Sequence, residues 1–185
     1  STPSNSSAAS DVYKRQVKYP RLELKTGKLL LVLPHGVSPD EIIKRHRDWI
    51  RKKVDLIRVS LEDSVNKEVF ERDEGEFRDL VRTFSEKISE ELDVSINKIY
   101  FRRMKTKWAS CSPKANLTIN TLLKYLPEEL IKYVIFHEIA HLIERRHNDR
   151  FWGIISQKFD DYERMERDLF AYWFLVQEVD NGGFE

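Results

Sequence analysis

The segment from Leu130 to Leu142 most limits how this chain of 185 residues can fold. Nine of its thirteen residues are apolar, and they are spread so that a helix formed here is apolar on almost every side and belongs in a core. It also contains His137, Glu138 and His141, and residues four apart lie one turn above each other on a helix. Burying two imidazoles and a carboxylate without partners is costly. The segment therefore predicts a buried helix whose polar groups are compensated by a metal ion.

The His-Glu-x-x-His pattern suits the chemistry of a zinc hydrolase. Both imidazoles can reach one ion, and Glu138 can reach a water at the metal without binding the metal itself. Catalytic zinc sites use three protein ligands and keep one position for water, whose pKa zinc lowers towards neutrality. The pattern thus predicts Zn²⁺ as the cofactor, His137 and His141 as ligands, and Glu138 as the general base.

The third ligand is open between two kinds of residue. His147 follows His141 by six residues, a spacing also found in metzincins, and a chain that turns over 144–146 would bring it back to the metal. The alternative is a carboxylate from a later helix, as in thermolysin-like sites, with Glu163 or Glu166 as candidates. Both carboxylates are also explained as part of a solvated helix face, so His147 is favoured.

Four segments, in order along the chain, resemble the YgjP-like metallopeptidase family. They are KTKWASCS (105–112), LTIN (117–120), YVIFHEIAHL (133–142) and HNDRFW (147–152). The resemblance implies a zinc peptidase in which His137, His141 and His147 are the ligands and Glu138 is the catalytic base. The family is distantly similar to the SprT-like proteases.

The chain before the resemblance predicts a hairpin followed by a helix. Residues 21–25 alternate in polarity and residues 29–33 form an apolar run, which together predict two paired strands. Ser38 as N-cap with Pro39 at the first helical position predicts a helix, and the apolar spacing continues it to Ile57.

The rest of the chain predicts an α+β arrangement. The predicted elements are a helix over 77–92, strands over 99–104 and 116–121 joined by a loop at 108–114, the metal helix starting at 127–129, and helices over 151–159 and 162–176. We expect a zincin-like domain in which a small sheet packs on the active-site helix, an edge strand lines the cleft, and further helices follow. The expected domains are a hairpin plus helix at 17–60 and a zinc metallopeptidase-like domain at 61–185.

The beginning of the chain is set apart from the fold. Residues 6–16 read like a translated sequencing adaptor, so residues 1–16 are expected to be a non-native or disordered tail. A Ser-rich disordered tail is the alternative explanation.

Composition excludes several classes of protein. No apolar run reaches membrane-spanning length, and a formal net charge of +1 gives no global attraction to nucleic acid or membrane. The single cysteine, Cys111, excludes an internal disulfide and is compatible with a cytoplasmic location. We expect Cys111 to pack beneath the metal helix rather than to act as a fourth ligand.

A zinc metallopeptidase acting on a peptide or protein is the leading functional hypothesis, and two alternatives stay open. One is a zinc-dependent hydrolase of a nucleotide or other phosphate ester, since zinc activates water for attack on phosphorus as well as carbon. The other is a DNA-associated binding protein or protease resembling SprT. Both draw on a concentration of basic residues, namely Arg102, Arg103, Lys105, Lys107, Lys114, Arg145, Arg146 and Arg150.

Overall fold

The computed structural model describes residues 21–25, 28–34, 36–64 and 67–180. The chain divides into two compact units between Val59 and Ser60. The expected tail at 1–16 lies outside the described residues. Helices and small sheets are both present, so the predicted α+β class is confirmed.

The first unit contains the predicted hairpin. Strand β1 (Arg21–Lys25) pairs antiparallel with strand β2 (Lys28–Val32), with Arg21 opposite Val32 and Lys25 opposite Lys28. The hairpin prediction is therefore confirmed.

The helix after the hairpin differs from the prediction. It is divided into α1 (Pro39–Arg45) and α2 (Arg47–Ser64), with His46 between them at φ −107° and ψ 19°. His46 still donates its N–H to Ile42 and accepts from Ile50, so the division leaves the hydrogen-bond ladder nearly continuous. The expected end at Ile57 was wrong because residues 58–64 contain no Gly or Pro to stop the helix.

The second unit contains the predicted helices, close to their expected bounds. Its elements are α3 (Glu74–Glu91), β3 (Lys98–Arg102), β4 (Ala109–Cys111), β5 (Asn116–Asn120), a 3₁₀ turn (Thr121–Tyr125), α4 (Glu128–Ala140), α5 (Asp149–Lys158) and α6 (Tyr162–Asp180). None of the helices in the described part of the chain has both the length and the apolar character needed to cross a membrane.

A three-stranded sheet in the order β3-β5-β4 leaves β4 at one edge. β3 runs parallel to β5, whereas β4 pairs antiparallel with β5 through a tight turn. In that turn Ser112 donates its N–H to the Asn116 carbonyl at 2.9 Å, and Ala115 adopts a φ of 55°. The 108–114 segment was expected to be a loop, and β4 was missed because three residues are too few to display strand alternation.

Helix α4 is the centre of the hydrophobic core, as its apolar sequence predicts. Its buried residues are Leu130, Ile131, Tyr133, Val134, Ile135, Phe136, Ile139 and Ala140. Helix α3 and strand β4 both pack against it, together with α5 and α6. The expected packing of a small sheet on this helix is therefore confirmed.

Buried Asn120 holds the connection from β3 to β4 in place. Its side-chain amide donates to the carbonyls of Met104 and Lys107 at 2.9 and 2.7 Å. Its side-chain oxygen accepts from the N–H groups of Met104 and Leu122 at 3.3 and 3.2 Å. One fully buried side chain thus satisfies four backbone groups and fixes where β4 begins.

We predict that Asn120→Ala lowers the free energy of unfolding by about 2–3 kcal/mol, because it leaves several partly buried backbone groups without partners. Chemical denaturation of both proteins measures the difference. Asn97→Ala is the matched control, since Asn97 is exposed and bonds only with Asn116 among the side-chain contacts described for it, and its effect should stay within about 0.5 kcal/mol. Equal losses in the two variants would contradict the role given to Asn120.

Candidate metal centre

The end of α4 places two imidazoles at the mouth of a cleft. His137 lies in the last turn of the helix and His141 is its C-cap residue. The helix ends at Ala140, earlier than the expected turn at 144–146, because the N–H groups of Ile143 and Glu144 both donate to the Ala140 carbonyl at 3.0 Å. This shared acceptor tightens the last turn and directs the chain back across the helix end.

The start of α5 fixes the position of His147. The next residue, Asn148, is the N-cap of α5, and its side chain accepts the N–H of Phe151 at 3.0 Å. An N-cap of this kind stabilises a helix by about 1 kcal/mol. Together with the tight end of α4, the cap brings His147 back to the two imidazoles of the His-Glu-x-x-His pattern.

The three imidazoles converge through the same ring atom. His147 Nε2 lies 3.0 Å from His137 Nε2 and 3.1 Å from His141 Nε2. All three ligand nitrogens lie within 4.8 Å of one another. Nitrogens bound at about 2.0–2.1 Å to a tetrahedral zinc ion lie about 3.3 Å apart, so the observed spacing is close to that of a zinc site.

The ring orientations show that the three nitrogens suit a cation. His141 Nδ1 donates to the Glu144 carbonyl at 3.1 Å, and His137 Nδ1 faces the Glu166 carboxylate at 3.5 Å. A neutral imidazole with its proton on Nδ1 presents a lone pair at Nε2. Lone pairs that converge cannot bond to each other, whereas a metal ion would accept them. The residues therefore fit a bound metal.

An aromatic floor supports the three rings. Phe151 is fully buried, and its ring centroid lies 4.9, 4.5 and 4.8 Å from those of His137, His141 and His147. Trp152 stacks on His147 at 5.6 Å. These contacts restrict rotation of the imidazoles, and partial loss of solvent together with the two other histidines lowers the pKa of His147, which favours the neutral form that a metal requires. No apolar periodicity singles out Phe151 as part of a site, although it lies in a segment that carries the family resemblance.

Glu138 points into a cleft of about 560 Å³ that also contains the three histidines. The cleft lies between α4 and β4, so the expectation that an edge strand lines it is confirmed. Glu138 Oε2 accepts the backbone N–H of Cys111 at 2.9 Å, which fixes the carboxylate against the edge strand. The elements that bury α4 thus also position the residue expected to act as base.

Two residues of β4 and its approach line the same cleft. Burial and the charge of Glu138 raise the pKa of the Cys111 thiol to about 11, so the thiol stays protonated near neutral pH and is a poor metal ligand. Trp108 packs on α6, where its ring meets Trp173 at 4.8 Å and its Nε1 donates to the Leu169 carbonyl at 3.3 Å. Trp108 therefore packs and lines the cleft at once.

The two carboxylates considered as alternative ligands lie outside the group of three histidines. Glu163 is exposed near the start of α6. Glu166 accepts the Tyr133 hydroxyl at 2.6 Å and lies on the Nδ1 side of His137. Partial burial would raise the pKa of Glu166, but the hydrogen bonds with His137 and Tyr133 outweigh it and lower the pKa, so the group is a carboxylate at neutral pH.

A small sheet beside a buried His-Glu-x-x-His helix, with three imidazoles that could hold a metal, is the arrangement of a metallopeptidase. The chain belongs to the YgjP-like family, since residues 60–172 match its metallopeptidase domain. The resemblance inferred from the sequence is therefore confirmed.

A curated relative is similar over a shorter stretch. The UTP pyrophosphatase of Escherichia coli (strain K12) is 29% identical to this chain over 55 residues. That stretch covers 30% of this chain and 33% of the relative, so the match spans about a third of the length of the curated protein.

Two solved structures of metallopeptidase zymogens are also similar to part of the chain. Pyrococcus abyssi abylysin has a TM-score of 0.46 and 24% identity, covering 49% of this chain and 92% of that protein. Methanocaldococcus jannaschii jannalysin has a TM-score of 0.42 and 28% identity, covering 48% of this chain and 84% of that protein.

We predict that His147→Ala weakens zinc binding by more than about 100-fold, because a direct ligand is removed. Loss of a residue that only bonds to a metal ligand costs about 10- to 100-fold. Elemental mass spectrometry and chelator competition measure zinc content and affinity. His46→Ala is the control, since His46 is exposed at the end of α1. Unchanged affinity in His147→Ala would place the third ligand elsewhere, with Glu163 and Glu166 as the first candidates.

Proposed function

We propose that this protein is a zinc-dependent metallopeptidase in which His137, His141 and His147 bind the metal and Glu138 is the general base. The convergence of the three Nε2 atoms beside Glu138, inside one open cleft, is the observation that carries this proposal. Membership in a metallopeptidase family supports it independently.

Glu138 is well situated for proton transfer. It directly follows His137 on α4, and the N–H of Cys111 holds one of its oxygens at the sheet side of the cleft. When bound, zinc supplies Lewis-acid activation of water and of the scissile carbonyl. Glu138 accepts the proton of the attacking water and passes it to the leaving amine, so that the amide bond breaks without release of a free amide anion.

The edge strand supports an extended peptide as the substrate. Trp108 accepts from Asn120 and Ser112 donates to Asn116, so these two residues turn their backbone towards β5. In an antiparallel pair the backbone N–H and C=O groups of successive residues point alternately towards the partner strand and away from it. Those of Ala109 and Cys111 therefore point away from β5, towards the edge of the sheet. The contact of the Cys111 N–H with Glu138 agrees with that direction. Because the Cys111 N–H is already bonded to Glu138, a peptide that adds to this edge would pair through the remaining backbone groups of β4 and lie across the histidines.

We predict that Glu138→Gln retains zinc and lowers kcat for a casein-type substrate by about 10²- to 10⁴-fold, because the amide cannot accept the proton. Zinc content and turnover are measured on the same preparation. Glu129→Gln, an exposed carboxylate in the first turn of the same helix, serves as the control. Retained activity in Glu138→Gln would contradict the role of Glu138 as the general base.

A second candidate is hydrolysis of a pyrophosphate bond in a nucleoside triphosphate. Lys107 and Arg145 are exposed cations that line the same cleft as the histidines and could hold phosphate oxygens. The Escherichia coli relative is described as a UTP pyrophosphatase, although the match covers only a third of it. Here Glu138 would take the proton of a water that attacks phosphorus.

The two candidates separate when casein and UTP are offered to the same zinc-loaded protein. If UTP is the substrate, the Lys107→Ala/Arg145→Ala double variant should raise KM for UTP about tenfold or more, since each charge-assisted hydrogen bond contributes about 1.5–3 kcal/mol. Lys114→Ala removes an exposed charge that does not line the cleft and should leave KM unchanged. Cleavage of casein with no loss of UTP would reject the pyrophosphatase candidate.

A further inference from the structure

A carboxylate from α6 stands behind the first histidine of the metal group. Glu166 Oε1 lies 3.5 Å from His137 Nδ1, while His137 Nε2 lies 3.0 Å from His147 Nε2. The two ring nitrogens point in different directions from the imidazole. The carboxylate oxygen is therefore at the nitrogen turned away from the converging group, where it can accept a proton donor but cannot share the metal with Nε2.

Tyr133 anchors this carboxylate. It lies four residues before His137, so both side chains share one face of α4. Its ring is fully buried and meets Phe159 at 5.2 Å and His137 at 6.0 Å, which leaves it little freedom to move. Burial and the nearby Glu166 raise the pKa of Tyr133, so its hydroxyl stays protonated and donates to Glu166 Oε1 at 2.6 Å.

The two histidines of α4 thus have different partners at Nδ1. His141 Nδ1 meets the neutral carbonyl of Glu144, which is supplied by the turn after the helix. His137 Nδ1 meets a carboxylate from a distant helix that a buried phenol holds in place. A carboxylate partner keeps the proton on Nδ1 more strongly than a carbonyl does and makes Nε2 a stronger donor to a metal.

From this geometry we infer that Glu166 is a positioning residue, anchored by Tyr133, that holds the proton of His137 on Nδ1 and aims Nε2 at the metal. The inference rests on the proposed three-histidine site. It assigns to Glu166 a role that differs from direct ligation, and it gives the Tyr133–Glu166 pair a function beyond joining α6 to α4.

The first test uses the metal-free protein, so it does not depend on zinc binding. Long-range proton–nitrogen NMR on protein with ¹⁵N-labelled histidine reports which ring nitrogen carries the proton. In the wild type His137 should be protonated on Nδ1, and in Glu166→Ala the Nε2-protonated form should appear. His141 is the internal control, since its Nδ1 partner is unchanged. An unaltered His137 tautomer in Glu166→Ala would overturn the inference.

The second test measures zinc affinity by chelator competition. Glu166→Ala should lower the affinity about 10- to 100-fold, the usual cost of losing an outer-shell partner of a metal ligand. Glu166→Gln keeps an oxygen acceptor and should recover part of that loss, and Tyr133→Phe should cause a smaller loss than Glu166→Ala. Glu129→Gln, which changes an exposed carboxylate in the first turn of α4, should leave the affinity unchanged.

The outcomes separate this inference from the proposed function. If the wild type binds zinc and Glu166→Ala binds it equally well, the positioning role fails while the three-histidine site stands. If Glu166→Ala loses zinc as completely as His147→Ala, Glu166 is a ligand and the inference is wrong. If the wild type binds no zinc, the proposed function fails, and the tautomer measurement still decides whether Glu166 controls His137.

Because 43% of the Glu166 side chain is exposed, its replacement opens no buried cavity, and Tyr133→Phe offers a second variant that preserves the core ring.

Discussion

The burial of α4 is the constraint on which the rest of the second unit depends. A helix that is apolar on almost every side must be covered by other elements, and α3, α5, α6 and β4 supply that cover. The same helix carries His137 and Glu138, whose burial without partners would be costly. Both residues are only partly buried, and the packing leaves an opening at the helix end, where the imidazoles converge and the carboxylate faces a cleft. Two of the elements that pack around α4 to form the core, β4 and α6, therefore also form walls of the site.

Two amide side chains, buried Asn120 and exposed Asn148, set the geometry around that opening. Asn120 holds the backbone that leads into β4, and Asn148 caps α5 directly after His147. Each replaces backbone partners that regular structure cannot provide at the end of a strand or the start of a helix. The loop that leads into the cleft-lining strand is thus fixed by a buried side chain, and the segment that carries the third histidine is fixed by an exposed helix cap. Phe151 adds a rigid floor that contacts all three imidazoles.

Family membership and the converging histidines both support hydrolysis, and two kinds of substrate are proposed for the cleft. The open edge of β4 favours an extended peptide, whereas Lys107 and Arg145 favour phosphate groups. Both candidates would use the same three proposed ligands and the same proposed base, because activation of water is common to attack on carbon and on phosphorus. The difference lies in what the walls of the cleft recognise, and the walls come from β4 and from the segment that follows α4.

The spacing of apolar and polar residues along the sequence determined which helices form and which residues are candidates for the metal site. The four-residue spacing of His137 and His141 places them on one helical face, and the apolar residues around them bury that helix, so both follow from sequence alone. The parallel pairing of β3 with β5, the three-residue edge strand β4 and the break at His46 were decided by tertiary structure. Strand pairing joins distant segments, and a strand of three residues has no measurable periodicity. The contact between Glu166 and His137 also joins distant segments, so the sequence alone does not show that the carboxylate meets Nδ1 rather than the metal side. The packing of α6 on α4 sets the direction from which the carboxylate approaches.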